Sequence, residues 1–227
     1  MSSVFNEYLR RMHHMAEDEP SGEGHLPFIT ISRQAGCHSY TIARLVQQML
    51  NTHARPKWQL VTKEILSDAS HEMNLKSAQV KGILEGDKRS HLSEILQSIE
   101  NHTYLSDNLV RKKLAEFIES AALRGHVIIV GRAGAMITAR VPGGLHIRLV
   151  APLEWRATNV MSRQNIGRKE AMKWIEETDI RRKRLLETFS GKPLNELIFD
   201  LQINNASFTN EEIAASIVSL ITKRYST

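Results

Sequence analysis

Gly36 stands between a short apolar run and a helical pattern, and the stretch around it is the first place where this chain could do chemistry. In FITISRQAGCHSYTIARLVQQML, residues 28–50, Phe28, Ile29 and Ile31 begin a β-branched run that reads as a strand. From Tyr40 onward, Ile42, Leu45, Val46, Met49 and Leu50 recur at helical spacing. Strand, glycine loop and helix start is the layout that turns free backbone N–H groups and a helix N-terminus toward a phosphate. Gly36 can take the positive φ that a phosphate-wrapping turn demands, and the N–H groups of Cys37, His38, Ser39, Tyr40 and Thr41 would then face the ligand. The lysine and flanking glycine of G-x-x-x-x-G-K-[ST] are missing. Arg33 ahead of the loop and His38 within it could supply positive charge. Arg33 reads equally as a phosphate ligand or as half of a structural ion pair. His38 reads as an exposed loop residue, since the ten histidines show no metal-ligand spacing. Cys37 either has a depressed pKa at the helix start, and redox sensitivity with it, or stands in for a serine.

Two further sets of cations accompany the loop. Arg132 directly follows HVIIVG, a run that reads as a strand buried on both faces. Ligands of open parallel sheets bind outside the carboxyl ends of the strands, and a guanidinium there can grip a phosphate bidentately. An ion pair with the preceding helical region is the alternative. Between Arg156 and Arg184 there are nine Lys/Arg against four Asp/Glu, so this segment alone accounts for the net charge of +5. Basicity gathered in one segment favours a local anionic ligand over a nucleic-acid surface.

The elements that must position these groups follow from periodicity. Residues 3–16 carry Val4, Phe5, Tyr8, Leu9, Met12 and Met15, an amphipathic helix joined by the acidic linker Glu17–His25. That helix either docks on its own domain or makes a homodimer contact. Trp58–Val61 is a short strand, and Lys63–Arg124 is almost entirely helical, with breaks at Gly86 and across Asn101–Asn108. His126–Gly131 and Leu145–Val150 are strands; Leu153–Phe189 is helical with an interruption near Gly167. Leu197–Ile203 reads as the last strand and Glu211–Arg224 as the last helix, capped by Thr209 or Asn210. Strands alternating with helices predict an α/β fold, a parallel sheet flanked by helices with a helical insert. The division expected is 1–25 for the helix and linker and 26–227 for the domain, with an insert at 63–124 and a basic lid region at 153–192. At 227 residues and 41% hydrophobic the chain can bury a full core. No apolar run approaches the roughly 20 residues that span a bilayer. The start lacks a signal-peptide core, and the single Cys37 suits a reducing cytoplasm.

Five segments in order resemble the cytidylate-kinase-like family, a branch of the nucleoside monophosphate kinases with the P-loop fold. ITISRQAGCHSYTIARLVQQML is similar to that family's opening, VIIVGRAGAMI to its next glycine segment, and LHIRLVAPLEWR to the strand and helix start that follow. EETDIRRKRLLETFSGK resembles its lid helix, and LIFDLQINNASFTNEEIAASIV its closing strand and helix. The likeness runs from about Phe28 to Thr222. It implies ATP and Mg2+ as cofactors and phosphoryl transfer to a nucleoside monophosphate or a similar small acceptor. Gly36 to Thr41 would cradle the donor, and the insert, with Lys63, Asp87, Lys88 and Arg89 as polar candidates, would take the acceptor base. Ser39 stands where a P-loop has its lysine and Tyr40 at the magnesium-binding Ser/Thr, with Thr41 beside it. The family has glycines where this chain has His38 and Ser39, and cytidylate kinase proper has Asp where Ala133 stands. Arg132 would hold the acceptor phosphate. Fixed cations on a closing lid stabilise the charge of the moving phosphoryl group. Four consecutive cations cannot all face one pocket, so Arg181 and Arg184 are taken as the catalytic pair, with Arg163 and Arg168 as substrate ligands. The altered loop keeps a second reading open: a nucleotide-binding or regulatory protein on the same fold.

Overall fold

Five runs of aliphatic residues form β1 (Phe28–Arg33), β2 (Gln59–Val61), β3 (Val127–Val130), β4 (Gly144–Val150) and β5 (Leu201–Asn204). They hydrogen-bond in parallel in the order β2-β3-β1-β4-β5. The computed structural model describes residues 25–52, 54–62, 107–190 and 196–225. The N-terminal helix and linker, and most of the insert including Lys63, Asp87, Lys88 and Arg89, lie outside the described residues.

Helices α1 (Ser39–Asn51), α2 (Asp107–Leu123), α3 (Gly134–Ile137), α4 (Leu153–Gln164), α5 (Arg168–Ser190) and α6 (Asn210–Tyr225) connect or follow the strands. β1 is central, and its Ile29 and Ile31 are buried in one cluster with Ile42, Ala43 and Val46 of α1 and Ile213, Ala214 and Ile217 of α6. Each fully buried aliphatic side chain contributes about 1.5–3 kcal/mol, so this layer fixes β1 and α1 against each other. A second, smaller cluster of Ala35, Ala157, Val160, Ala171 and Ile175 packs α4 and α5 beside the loop that follows β1. The predicted α/β architecture with a parallel sheet is the observed one.

The last strand begins later than its apolar run. Glu196–Ile198 is a 3-10 turn in which Leu197 is 90% exposed. Pairing starts only after Asp200, whose N–H donates to His146 O at 2.8 Å and whose Oδ2 accepts from His146 N–H at 2.7 Å. Helix α6 starts on a capping box: Glu212 N–H donates to Thr209 Oγ1 at 3.2 Å, and Thr209 N–H to Glu212 Oε2 at 2.8 Å.

His146 is buried in β4 with Nδ1 at 2.8 Å from Thr30 Oγ1, and burial holds its pKa below the ordinary 6.5. Asp200 pulls that value up, and Arg224 pushes it down again. His126, against Trp58, is likewise lowered by burial. The unfolded chain therefore binds protons at these positions before the folded one does. Their stabilisation is complete above 6.5 and is lost as pH falls from there toward the lower folded values. Urea denaturation across this range should show declining stability, and His146→Gln should flatten the decline; an unchanged slope in that variant would contradict the assignment.

Candidate functional site

The carboxyl ends of β1, β3, β4 and β5 meet at one edge, and the loop Gln34–His38 runs from β1 into α1 there. Gly36 has φ +90, and a Cβ on it would lie 2.7 Å from Arg156 O, so this turn requires glycine twice over. Side chains from elsewhere in the chain hold the loop. Asp179 accepts from Ala35 N–H and from Arg156 Nη1–H, each at 2.7 Å. Arg156, 7% exposed, also donates from Nη1 to Ala35 O at 3.2 Å and from Nε to Ala151 O at 2.9 Å. Asn159 Nδ2–H donates to Gly36 O at 3.2 Å, and His38 N–H donates to Asn205 Oδ1 at 2.8 Å.

This bracing decides which loop amides remain for a ligand. Cys37 N–H is taken by Gln34 O at 3.3 Å and His38 N–H by Asn205. His38 is the N-cap of α1 and makes no side-chain cap, and the first helical bond runs from Ile42 N–H to His38 O. Ser39, Tyr40 and Thr41 therefore carry the uncapped N–H groups of the helix start, which attract an anion together with the helix dipole.

A cleft of about 670 Å3 opens onto them, lined by Arg33, Gly36, Cys37, His38, Ser39, Tyr40 and Thr41 on one side. Asn159, Ser162, Arg163, Trp174, Arg182 and Asn210 complete it. All seven loop residues singled out from the sequence are thus brought together, with Arg163 facing them. The other lid arginines are placed differently. Arg168 is on the exterior, in a 2.7 Å pair with Glu154. Arg181 donates from Nη2 to Thr178 Oγ1 at 3.2 Å, Arg184 is exposed, and neither lines the cleft. Arg182 lines it instead and donates from Nη1 to Arg33 O at 3.3 Å. The signal for Arg182 was present in the sequence: it continues the buried stripe Ala171, Ile175, Thr178 and Leu185 at helical spacing.

Arg33 has no carboxylate partner among the described residues, and burial first, then the Arg182 and Arg132 charges, push its pKa down to about 9. Arg182 is lowered by burial, with Asp179 opposing and Arg132 adding to the effect. Arg132 sits just past β3 in a run of positive φ, Gly131 at +70, Arg132 at +54 and Ala133 at +55. A Cβ at Gly131 would collide with the Arg33 guanidinium, so that glycine makes room for the arginine. Left-handed conformation at a non-glycine residue costs roughly 1–2 kcal/mol, a cost met most often at functional sites. Cys37 is 5% exposed with its thiol pushed up to about 11, chiefly by burial, so it fills a serine-sized space and has no activated thiolate. His38 is half-buried, not exposed: its ring packs at a 46° tilt against Trp155 with centroids 5.0 Å apart, and Nδ1 lies 3.2 Å from Asn210 Oδ1.

A parallel sheet in this order, with a braced glycine loop and a cationic cleft at its carboxyl edge, is the fold of P-loop kinases. The chain belongs to the cytidylate kinase-like family, whose profile matches residues 28–207. It is 33% identical over 138 residues to a cytidylate kinase of Pyrococcus horikoshii, covering 60% of this chain and 67% of that one. It is 23% identical to a uronate isomerase of Corynebacterium glutamicum over 72% of its own length but spans only 30% of that protein. A crystal structure of an uncharacterized protein from Eubacterium ventriosum shares the fold, with a TM-score of 0.64, 16% identity, and coverage of 87% and 98%.

Removing Arg156 leaves Asp179 charged and half-buried and unties Ala35 O. Arg156→Ala should cost about 3 kcal/mol, read by urea denaturation, whereas Arg168→Ala should leave the denaturation midpoint where it is. Equal effects would contradict the bracing role. Cys37 should resist iodoacetamide near neutral pH until the chain is unfolded; rapid alkylation of folded protein would refute its burial.

Proposed function

We propose that the chain transfers the γ-phosphoryl group of ATP to a nucleoside monophosphate or a similar small phosphorylated acceptor. The observation that carries this is the cleft itself: Arg33, Arg163 and Arg182 converge beside the uncapped start of α1, with no Asp or Glu among the described residues of the lining. The donor phosphates lie on the N–H groups of Ser39, Tyr40 and Thr41. Arg182 and Arg163 offset the negative charge of the moving phosphoryl group, and Arg132, at the end of β3, orients the acceptor. The family kinship supports nucleotide-dependent phosphotransfer; the relatives named cytidylate kinase suggest a pyrimidine nucleotide as the first acceptor to try. Ala133 in the place of an Asp leaves the choice among nucleotides to experiment. Mg2+ accompanies ATP in this family's chemistry, but the described lining offers it only neutral oxygens. Arg181, Arg184 and Arg168 have no part in the cleft as described; a role for them requires movement of α5.

A second reading, nucleotide binding without turnover, draws on the two loop amides already occupied by Gln34 and Asn205. The two readings separate on one assay. A panel of nucleoside monophosphates with ATP and magnesium should yield ADP with at least one acceptor. Arg182→Ala should lower turnover by roughly ten- to a hundredfold, the loss of one charge-assisted hydrogen bond of about 1.5–3 kcal/mol. ATP binding with no ADP from any acceptor would overturn the kinase reading and leave the binding one.

A further inference from the structure

The donor set of the cleft does not match the ion that kinases bring with ATP. Mg2+ demands near-octahedral oxygen coordination and is held by proteins through one or two carboxylates. The cleft lining contains none among the described residues. Asp179, the carboxylate that touches the loop, has Oδ1 on Ala35 N–H and Oδ2 on Arg156. No group of three or more His, Cys, Asp or Glu suited to a metal exists among the described residues. Beyond β3, where an acid could reach the phosphates, the chain has Gly131, Arg132 and Ala133.

What the cleft has in place of a dication is three guanidiniums. Arg33 comes from the last position of β1, Arg163 from the last turn of α4 and Arg182 from the middle of α5. They approach from three different elements. Arg182 reaches Arg33 O at 3.3 Å and its charge opposes protonation of Arg33, as that of Arg163 opposes protonation of Arg182. Like charges that the one neighbouring carboxylate, Asp179 beside Arg182, offsets only in part are stabilised by a ligand that carries several negative charges at once. Guanidiniums suit this better than a single ammonium, because each presents a planar fork to two phosphate oxygens.

We propose that this cleft binds the triphosphate chain of a nucleotide without a metal ion, with Arg33, Arg163 and Arg182 supplying the positive charge that a P-loop lysine and a protein-held Mg2+ supply elsewhere. This rests on the reading of the cleft as a nucleotide site and specifies how that site is neutralised. Base and sugar add to the affinity but are not needed for it, so inorganic tripolyphosphate is a ligand in its own right.

Calorimetric titration of the full chain with ATP and with sodium tripolyphosphate, each in excess EDTA and in excess magnesium, tests this. Trp174 lines the cleft, so quenching of tryptophan fluorescence gives a second readout. The expected result is binding of both ligands in EDTA, no weaker for ATP than in magnesium. Arg182→Ala and the exposed Arg163→Ala should each weaken tripolyphosphate binding by about ten- to a hundredfold. Arg163→Ala guards against misfolding, since its side chain is on the surface of α4, and urea denaturation of each variant verifies the fold. ATP bound in magnesium but not in EDTA would overturn the metal-free site and leave the nucleotide site standing. Failure of both ligands to bind under both conditions would overturn the two together, and ATP bound without tripolyphosphate would overturn this proposal alone. Tripolyphosphate affinity unchanged in both arginine variants would show the charge to reside elsewhere and would also overturn the proposal.

Discussion

The Asp179 carboxylate is the contact on which this site depends. One of its oxygens holds the Ala35 amide and the other the Arg156 guanidinium, while Arg156 reaches back to the carbonyl of the same Ala35. Both polar groups of one loop residue are thereby fixed to two helices far away in sequence. A buried arginine is tolerable only when paired and hydrogen-bonded, and Arg156 meets that condition through Asp179, Ala35 and Ala151. With the loop held on that side and Gly36 O tied to Asn159, the amides at the start of α1 are left facing the cleft.

The same contact sets the charge of the cleft. Asp179 is satisfied by Arg156, so it offsets Arg182 only in part, and Arg33 has no carboxylate partner among the described residues. Arginines kept together in this way oppose folding slightly, and the tight packing of α1, β1 and α6 compensates. Such a site is partly arranged for its ligand in advance: Arg33 and Arg182 are already desolvated beside the helix start, while the exposed Arg163 has only to close on the ligand. The helix start adds a fixed dipole along the same direction.

Much of this was legible in the sequence. The strand–glycine–helix outline around Gly36, the buried run at Val127–Val130 and the concentration of cations after Arg156 all reflect strong local signals, and they give the sheet, the loop and the lid in order. The direction of α5 is recorded in its apolar residues and not in its cations. Among Arg181, Arg182, Lys183 and Arg184 the spacing of cations to one another says nothing about direction; the apolar stripe through Ala171, Ile175 and Leu185 does, and it selects Arg182. The bracing by Asp179, Asn159 and Asn205 was not legible at all. These contacts join residues 123 to 167 positions apart, and no local pattern records them. His38 differs for a related reason: as an isolated loop histidine it reads as exposed, and only the distant Trp155 packs against its ring and half-buries it.

The central claim is that phosphate meets the first turn of α1 rather than the preceding loop amides. Backbone amide NMR of the chain titrated with ATP tests it most directly. Ser39, Tyr40 and Thr41 should move downfield together and saturably, while the amide protons of Ala35 and His38, already bonded to Asp179 and Asn205, stay protected from exchange. Shifts confined to other surfaces, or loss of protection at Ala35 and His38 without change at the helix start, would contradict the account.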